Sequence, residues 1–387
     1  MKRNRIILFL LWVLSLVGIS FYGGPVSYGF FIMMTLLPLL SLLYLLAVRW
    51  RFSIYQKLEG KTFVADHAIP YFFTLQNEEW FAFASVRVFF YSDFSSVLDL
   101  ADGEEYELLP GTGISRDTSL LCRYRGTYKV GIKSVEITDF LRLFRMRYKN
   151  PEPLEVTILP NVVTLSDLTN VNLTRILSRD LPFGNNVPDV SVRDYAAGDP
   201  RNRIHWTATA REQKLLVRRT TGEDQPSVAI LLGTCRISDD PAVHLPVENR
   251  MLEISLALAR FFLGKRIPVR AYHCDAALRA ASVTDSAAFD AYYKVCSDLL
   301  FHASQSDRRL FAEAVKRPEI LSARAAFFVL HEWSAEARET AAALNAGGVP
   351  VVVFLTSGRT DAADDARALP RTEILPASPD EKLTEVM

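Results

Sequence analysis

Two long apolar segments near the amino terminus constrain the fold of this chain more strongly than any other feature. They cover residues 6–21 and 28–48, and basic residues flank the outer end of each. A helix of about 20 apolar residues is long enough to cross a bilayer. The turn between them is uncharged and contains Gly23, Gly24 and Pro25, which interrupt helices. The sequence therefore predicts that residues 1–51 form two transmembrane helices, about 6–25 and 28–48.

The alternative for the first apolar segment is a cleaved signal peptide. A second apolar segment follows after a short turn, and no convincing small-x-small cleavage site separates the two, so a helical hairpin is favoured. Positive charge at both outer ends and none at the tip predicts, by the positive-inside rule, that both termini and everything after Arg49 are cytoplasmic. The expected location is the inner (cytoplasmic) membrane, with a multi-pass topology.

The composition narrows the classes of function. Lysine and arginine total 44, as do aspartate and glutamate, so no excess charge favours nucleic acid. The four cysteines are widely spaced and form no C-x-x-C or Cys/His cluster, which suits free thiols in a reducing compartment. The sequence contains no Walker A loop, dinucleotide fingerprint, G-x-S-x-G or H-E-x-x-H motif. We therefore expect no catalytic residues, no cofactor, no nucleic acid and no small-molecule substrate.

Two soluble domains are expected after the hairpin. Residues 52–160 contain short segments rich in β-branched and aromatic residues between turn signals, which predicts an antiparallel, immunoglobulin-like β-sandwich. Residues 226–376 alternate apolar strands with helical patterns, which predicts a three-layer α/β domain with a parallel sheet. Residues 161–225 are the linker, and residues 377–387 are a tail expected to fray. Helices of the α/β domain are predicted at residues 247–265, 289–303, 309–315 and 334–345.

The linker contains a segment, residues 192–219, that mixes arginine, aspartate and aromatic residues as no ordinary amphipathic helix requires. Arginine presents a rigid fork of donors that suits carboxylates and phosphates, and it stacks on aromatic rings. The segment forms either an internal clamp of ion pairs or a docking face, and a phosphate-binding site is a third interpretation. The candidate residues are Arg193, Tyr195, Gly198, Asp199, Arg201, Trp206 and Arg211.

Residues 193–211 read R-D-Y-A-A-G-D-P-R-N-R-I-H-W-T-A-T-A-R, which resembles the signature of the bacterial family called domain of unknown function 58. His205 stands where that family has an acid. The resemblance implies two membrane helices, a β region and a domain similar to von Willebrand factor type A. It also implies a non-enzymatic scaffold that presents this domain to cytoplasmic partners in envelope protein assembly or maturation. The implied partners are a MoxR-type AAA ATPase and a transglutaminase-like membrane protein.

In von Willebrand type A domains the first strand ends in D-x-S-x-S, whose oxygens bind Mg²⁺. The residues that occupy these three ligand positions here are Gly233, Cys235 and Ile237. The metal site is therefore expected to be degenerate, with Thr234 and Glu332 as weak remaining candidates. These two residues support an alternative hypothesis, a metal-dependent binding protein or a hydrolase in which His331 and Glu332 act as an acid/base pair.

Overall fold

The computed structural model describes residues 1–165, 168, 192–195, 204–218, 227–275, 277–302, 306–357, 369 and 371–386. The chain divides into two compact units, residues 1–161 and residues 162–387. Each unit has its own buried apolar residues and is described separately.

The amino-terminal unit begins with two helices, α1 (Lys2–Tyr22) and α2 (Pro25–Arg51). Both are long and apolar enough to cross a membrane, a test that a signal sequence also passes. Gly23 and Gly24 join them with φ angles of 55° and 90°, which L side chains rarely adopt. The prediction of two apolar helices is confirmed. The turn is shorter than expected because Pro25, whose φ angle already suits a helix, occupies the first helical turn of α2.

The rest of this unit is built from β-strands. They are β1 (Ser53–Leu58), β2 (Thr62–Val64), β3 (Ala68–Gln76), β4 (Phe83–Phe90), β5 (Ser95–Val97), β6 (Glu104–Leu108), β7 (Gly113–Cys122), β8 (Gly126–Val130), β9 (Ile132–Thr138), β10 (Arg145–Lys149) and β11 (Leu154–Leu159). Two four-stranded antiparallel sheets have the orders β1-β3-β7-β5 and β10-β9-β4-β6. A third sheet, β2-β11-β8, pairs β2 with β11 in parallel.

Alternating buried side chains bring the two four-stranded sheets into one core. The ring of Phe73, on β3, lies 5.8 Å from the ring of Phe90, on β4, and 6.5 Å from that of Tyr106, on β6. Because β3 belongs to one sheet and β4 and β6 to the other, the inner faces of the sheets pack together. The prediction of antiparallel sheets in this part of the chain is confirmed.

The carboxy-terminal unit combines a small ribbon with a larger sheet and its helices. Its elements are β12 (Val192–Asp194), α3 (Trp206–Glu212), β13 (Leu216–Arg218), β14 (Val228–Leu232), α4 (Pro241–Gly264), β15 (Val269–Cys274), β16 (Leu278–Val283), α5 (Ser286–Asp298), α6 (Ser306–Ala314), α7 (Pro318–Leu321), β17 (Ala325–Leu330), α8 (Ala335–Ala346), β18 (Val351–Leu355), β19 (Thr372–Pro376) and α9 (Leu383–Val386).

The larger sheet has the order β16-β15-β14-β17-β18-β19. All neighbouring pairs are parallel except β15–β16, which is antiparallel. Alternate residues of β14 enter two apolar clusters, one with α4 and α5 and the other with α6 and α8. The prediction of a largely parallel sheet with helices on both faces is confirmed. Strand β16 was not predicted, because its exposed residues, among them Arg279 and Ser282, give no apolar pattern.

Side-chain caps explain why several helices begin before their predicted starts. Asp240 accepts a hydrogen bond from Ala242 N (2.9 Å), so α4 begins at Pro241 rather than at residue 247. Asp285 caps α5 in the same way. The tail also differs from the expectation of fraying, because Leu383 is buried in the apolar cluster that contains α4.

Candidate functional site

The arginine- and aromatic-rich segment contains a short two-stranded β-ribbon formed by β12 and β13. Strand β12 pairs with β13 in antiparallel register, so the backbone of Arg193 lies opposite Val217. The amide of Tyr195 donates to the carbonyl of Leu215 (2.8 Å), which continues the ribbon by one step. The segment therefore closes on itself, with α3 between its two strands.

The start of helix α3 is held by His205. The Nδ1 atom of His205 accepts a hydrogen bond from the amide of Ala208 (3.2 Å), so the histidine caps the helix as an acid would. This contact requires Nδ1 to be unprotonated. The hydroxyl of Thr209 accepts from the amide of Leu216 (3.0 Å) and ties α3 to β13.

The described residues of this segment differ in exposure. Ile204 and Leu216 are buried, whereas the side chain of Trp206 is 66% exposed and Arg211 is exposed. Tyr195 is half-buried. Gly198, Asp199 and Arg201 lie outside the described residues, as does the side chain of Arg193. Among the described candidates, Trp206 and Arg211 therefore have accessible side chains.

The second candidate site lies at the carboxyl end of β14. The carboxylate of Asp307, in the first turn of α6, accepts hydrogen bonds from the amides of Thr234 (2.8 Å) and Cys235 (3.2 Å). A Cβ atom on Gly233 would lie 2.9 Å from Asp307 Oδ2 and 3.1 Å from Leu330 Cδ2. The glycine at the position of the expected acid therefore makes room for a carboxylate from another element. Sequence reasoning missed Asp307, because no fixed spacing links it to β14.

Other polar groups near this site already have partners. The hydroxyl of Thr234 donates to the carbonyl of Cys274 (2.6 Å). The guanidinium of Arg236 contacts Glu248 of α4, with Nε 2.8 Å from Oε1. Ile237 offers no oxygen, and among the described residues no group of three or more His, Cys, Asp or Glu side chains could hold a metal ion. These side chains do not supply the octahedral set of oxygen ligands that Mg²⁺ prefers.

The remaining candidates at this edge of the sheet are Cys235, His331 and Glu332. Burial raises the pKa of the Cys235 thiol, and the negative charges of Asp307 and Glu332 raise it further, so the thiol is neutral. The ring of His331 lies within hydrogen-bonding distance of the Thr356 hydroxyl (3.1 Å), while Glu332 is exposed. The raised pKa means that the Cys235 thiol is not an activated nucleophile.

A third set of polar contacts, which the sequence did not single out, lies in the amino-terminal unit. The β9–β10 loop (residues 139–144) is bound to the start of α1. Asn4 Nδ2 donates to the carbonyl of Leu141 (2.8 Å), and Arg5 Nε donates to the carbonyl of Leu143 (2.6 Å).

The same loop and a neighbouring strand contact α2. The buried hydroxyl of Ser41 donates to the buried carboxylate of Asp139. The hydroxyl of Tyr44 donates to the carbonyl of Ala82 (2.7 Å) and accepts from the amide of Ala84 (3.0 Å). The hairpin is thereby fixed to the β-sheets through both of its helices.

No family model and no curated protein matches this chain. Among solved structures, proximal thread matrix protein 1 from the mussel byssus is 13% identical, over 42% of this chain and 46% of that chain, with a TM-score of 0.31. A GH20 exo-β-N-acetylglucosaminidase from Vibrio harveyi is 11% identical, over 81% and 59%, with a TM-score of 0.18. A β-glucuronidase 2 from Bacteroides uniformis is 7% identical, over 83% and 36%, with a TM-score of 0.16. The chain covers less than two thirds of each of these structures, and such low TM-scores carry no inference about its function.

Proposed function

We propose that this chain is a non-enzymatic scaffold anchored in the inner membrane by α1 and α2. Both soluble parts, an immunoglobulin-like β domain and a degenerate von Willebrand factor type A-like domain, lie in the cytoplasm. The latter meets cytoplasmic partners during envelope protein assembly or maturation.

The observation that carries the proposal is the exposed apolar surface of the hairpin. Side chains along it, such as those of Phe9 (62%), Leu14 (61%) and Leu40 (55%), are exposed. Soluble proteins rarely leave so large a continuous apolar surface in water, and a bilayer would cover it. Leu45 and Val48, near the end of α2, are instead buried in the core of the β-sheets.

The contacts of α1 favour a permanent anchor over a signal peptide. Asn4 and Arg5 bind backbone carbonyls of the β9–β10 loop. Cleavage after α1 would remove both contacts from the folded unit. Retention of α1 therefore accounts for their presence, whereas removal leaves them without a role.

The docking face is proposed at α3. Tryptophan and arginine are the residues that most often dominate binding energy at protein interfaces, and Trp206 and Arg211 are both exposed. The family resemblance suggests a MoxR-type AAA ATPase as the partner, with a transglutaminase-like membrane protein as a further one.

Affinity purification of the full chain from membranes, followed by identification of co-eluting proteins, tests this proposal. We expect a MoxR-type ATPase to co-elute with the wild type and to be lost from Trp206→Ala and Arg211→Ala. Leu300→Ala is the matched control, because Leu300 is 68% exposed in the same unit but outside the segment. Retention of the ATPase by Trp206→Ala would refute the docking face. Its absence from the wild-type sample would refute the partner.

A hydrolase or metal-dependent binding protein with a site near Thr234 and Glu332 is the second candidate. One observation favours it: Glu332 lies close enough to Cys235 for its charge to raise the pKa of the thiol. It has less support because the hydroxyl of Thr234 donates to Cys274.

A further inference from the structure

We propose that the β9–β10 loop is a membrane-contacting loop, in which Phe140 enters the interfacial layer of the bilayer that α1 and α2 span. This inference rests on the proposed membrane anchor and adds a second attachment, between the β domain and the lipid surface. The occupant of the exposed surface around Phe140 is therefore the bilayer itself.

The contacts of the β9–β10 loop define its height along the axes of the two hairpin helices. The indole N–H of Trp12 donates to Thr35 Oγ1 (3.1 Å), which fixes the register of the two helices. Arg5 precedes Trp12 by seven residues, and Leu42 follows Thr35 by seven, so Arg5 and Leu42 lie at the same height. The loop contacts α1 at Asn4 and Arg5, and therefore lies at this height.

This height coincides with the expected surface of the bilayer. The apolar part of α1 begins directly after Arg5 and continues to Tyr22. At 1.5 Å per residue it is roughly 25 Å long, close to the thickness of a hydrocarbon core. Lys2 and Arg3 are exposed just outside it, where basic side chains meet lipid phosphates.

The same boundary is visible on α2. Leu45 and Val48 are almost completely buried among the β-sheets, so the β domain covers one face of α2 beyond Tyr44, while Leu46 and Trp50 are exposed on the rest of it. The hydroxyl of Tyr44 binds the backbone of β4 and of the residue before it. Up to about this residue most of the α2 surface is left to lipid, and beyond it the β domain covers the face that carries Leu45 and Val48. The β9–β10 loop lies where the lipid-covered part of α2 meets the part that contacts the β domain.

Phe140 occupies this boundary with about half of its side chain left uncovered by protein. Its side chain is 52% exposed, and its ring lies 5.4 Å from the ring of Tyr44 in an edge-to-face arrangement. Phenylalanine is one of the apolar residues with which interfacial segments enter the boundary between lipid headgroups and acyl chains. Arg142 follows in the same loop; its exposed guanidinium lies 3.5 Å from the carboxylate of Glu105 and remains accessible to a lipid phosphate.

The loop is held in one conformation, which suits a fixed contact with lipid. Asp139 accepts a hydrogen bond from the amide of Phe144 (2.7 Å), and its carbonyl accepts from the amide of Arg142 (2.9 Å). The closed turn presents Phe140 outward while Asp139 remains buried. Insertion of Phe140 therefore costs little further ordering of the loop.

Spin-label depth measurements on the full chain in liposomes containing phosphatidylglycerol test the inference. In a Cys235→Ser background, where the remaining cysteines are buried, single labels are placed by Phe140→Cys, Leu14→Cys and Lys133→Cys. Leu14 is exposed on the apolar part of α1, and Lys133 lies at the opposite end of β9 from the loop. Relaxation by oxygen reports lipid, and relaxation by a water-soluble nickel chelate reports solvent.

We expect oxygen to dominate at Leu14, nickel to dominate at Lys133, and Phe140 to give an intermediate, interfacial value. A label at Phe140 that matches Lys133, while Leu14 reports lipid, would overturn the loop proposal and leave the anchor intact. A label at Leu14 that reports water would overturn the anchor and the loop proposal together. Phe140→Cys replaces an exposed side chain, and near-ultraviolet circular dichroism verifies that the fold is retained.

Discussion

The hydroxyl of Ser41, in α2, donates a hydrogen bond to the carboxylate of Asp139, in the β9–β10 loop, and both side chains are buried. A buried hydrogen-bonding group that loses its partner costs about 1–3 kcal/mol, more when charge is involved. The pair therefore ties the hairpin to the β-sheets with more specificity than apolar contact provides. It also makes the junction between the proposed anchor and the β domain sensitive to single substitutions.

Asp139→Ala should destabilise the full chain in detergent micelles by about 1–3 kcal/mol, because it leaves the Ser41 hydroxyl and the Phe144 amide without their acceptor. Thermal unfolding followed by circular dichroism measures the change. Thr74→Ala is the control, since Thr74 contacts Ser115 in an exposed pair and should stay within about 0.5 kcal/mol of the wild type. Equal stability of Asp139→Ala and wild type would show that the contact does not contribute to the free energy of unfolding.

Gly233→Ala should destabilise the carboxy-terminal unit by about 1–3 kcal/mol, because its Cβ would lie 2.9 Å from Asp307 Oδ2 and the neighbours must move. Gly264→Ala is the matched control. It lies in α4 with no atom within 4 Å of the added Cβ, and alanine is the better helix former. The two substitutions should therefore shift the melting temperature in opposite directions. A neutral Gly233→Ala would mean that Asp307 does not occupy this position in solution.

Trp206→Ala should change the free energy of unfolding by less than about 0.5 kcal/mol, as expected for an exposed side chain. Leu216→Ala, in the adjacent strand, should cost about 2–5 kcal/mol, because that side chain is buried. Chemical denaturation of both variants distinguishes a docking face from an internal clamp. A large loss of stability in Trp206→Ala would support the clamp.

The thiol of Cys235 should react slowly with iodoacetamide at neutral pH. Burial first, and then the charges of Asp307 and Glu332, raise the pKa of this thiol, so the reactive thiolate forms only at higher pH than in a free cysteine. The reaction rate should therefore rise with pH along a curve displaced to higher pH. Glu332→Gln should move the curve back toward lower pH, as peptide mass spectrometry can follow. An unchanged curve would place Glu332 too far away to act on this site.

Titration of the full chain with Mg²⁺ and Mn²⁺ by calorimetry should show no binding of micromolar strength. The reason is that the Thr234 hydroxyl and the Asp307 carboxylate, which could supply oxygen ligands, already form hydrogen bonds within the protein. Binding that disappears in Glu332→Ala would instead support the metal-dependent alternative.

Local patterns predicted much of this fold. Apolar runs located the two helices of the hairpin, and strands with every residue buried, such as β14 and β17, marked a parallel sheet. Element ends were less predictable, because caps such as Asp240 precede the apolar pattern. Strand β16 escaped prediction because only its last residue, Val283, is buried.

Contacts between distant residues could not be predicted. Asp139 and Ser41 are 98 positions apart, and Asp307 is 73 positions from Thr234. Neither pair follows a helical or strand period, so only the assembled fold brings them together. Trp206 could be selected from the sequence because several arginines lie near it along the chain. The exposure of its side chain depends on how α3 packs and could not be predicted.

Protease digestion of intact spheroplasts and of inverted membrane vesicles tests the central claim most directly. The claim is that α1 and α2 anchor the chain and that both soluble parts are cytoplasmic. We predict that protease added outside spheroplasts leaves the chain intact, whereas the same protease removes all of it except the hairpin in inverted vesicles. Digestion of the soluble parts from outside spheroplasts, with protection in inverted vesicles, would contradict the account.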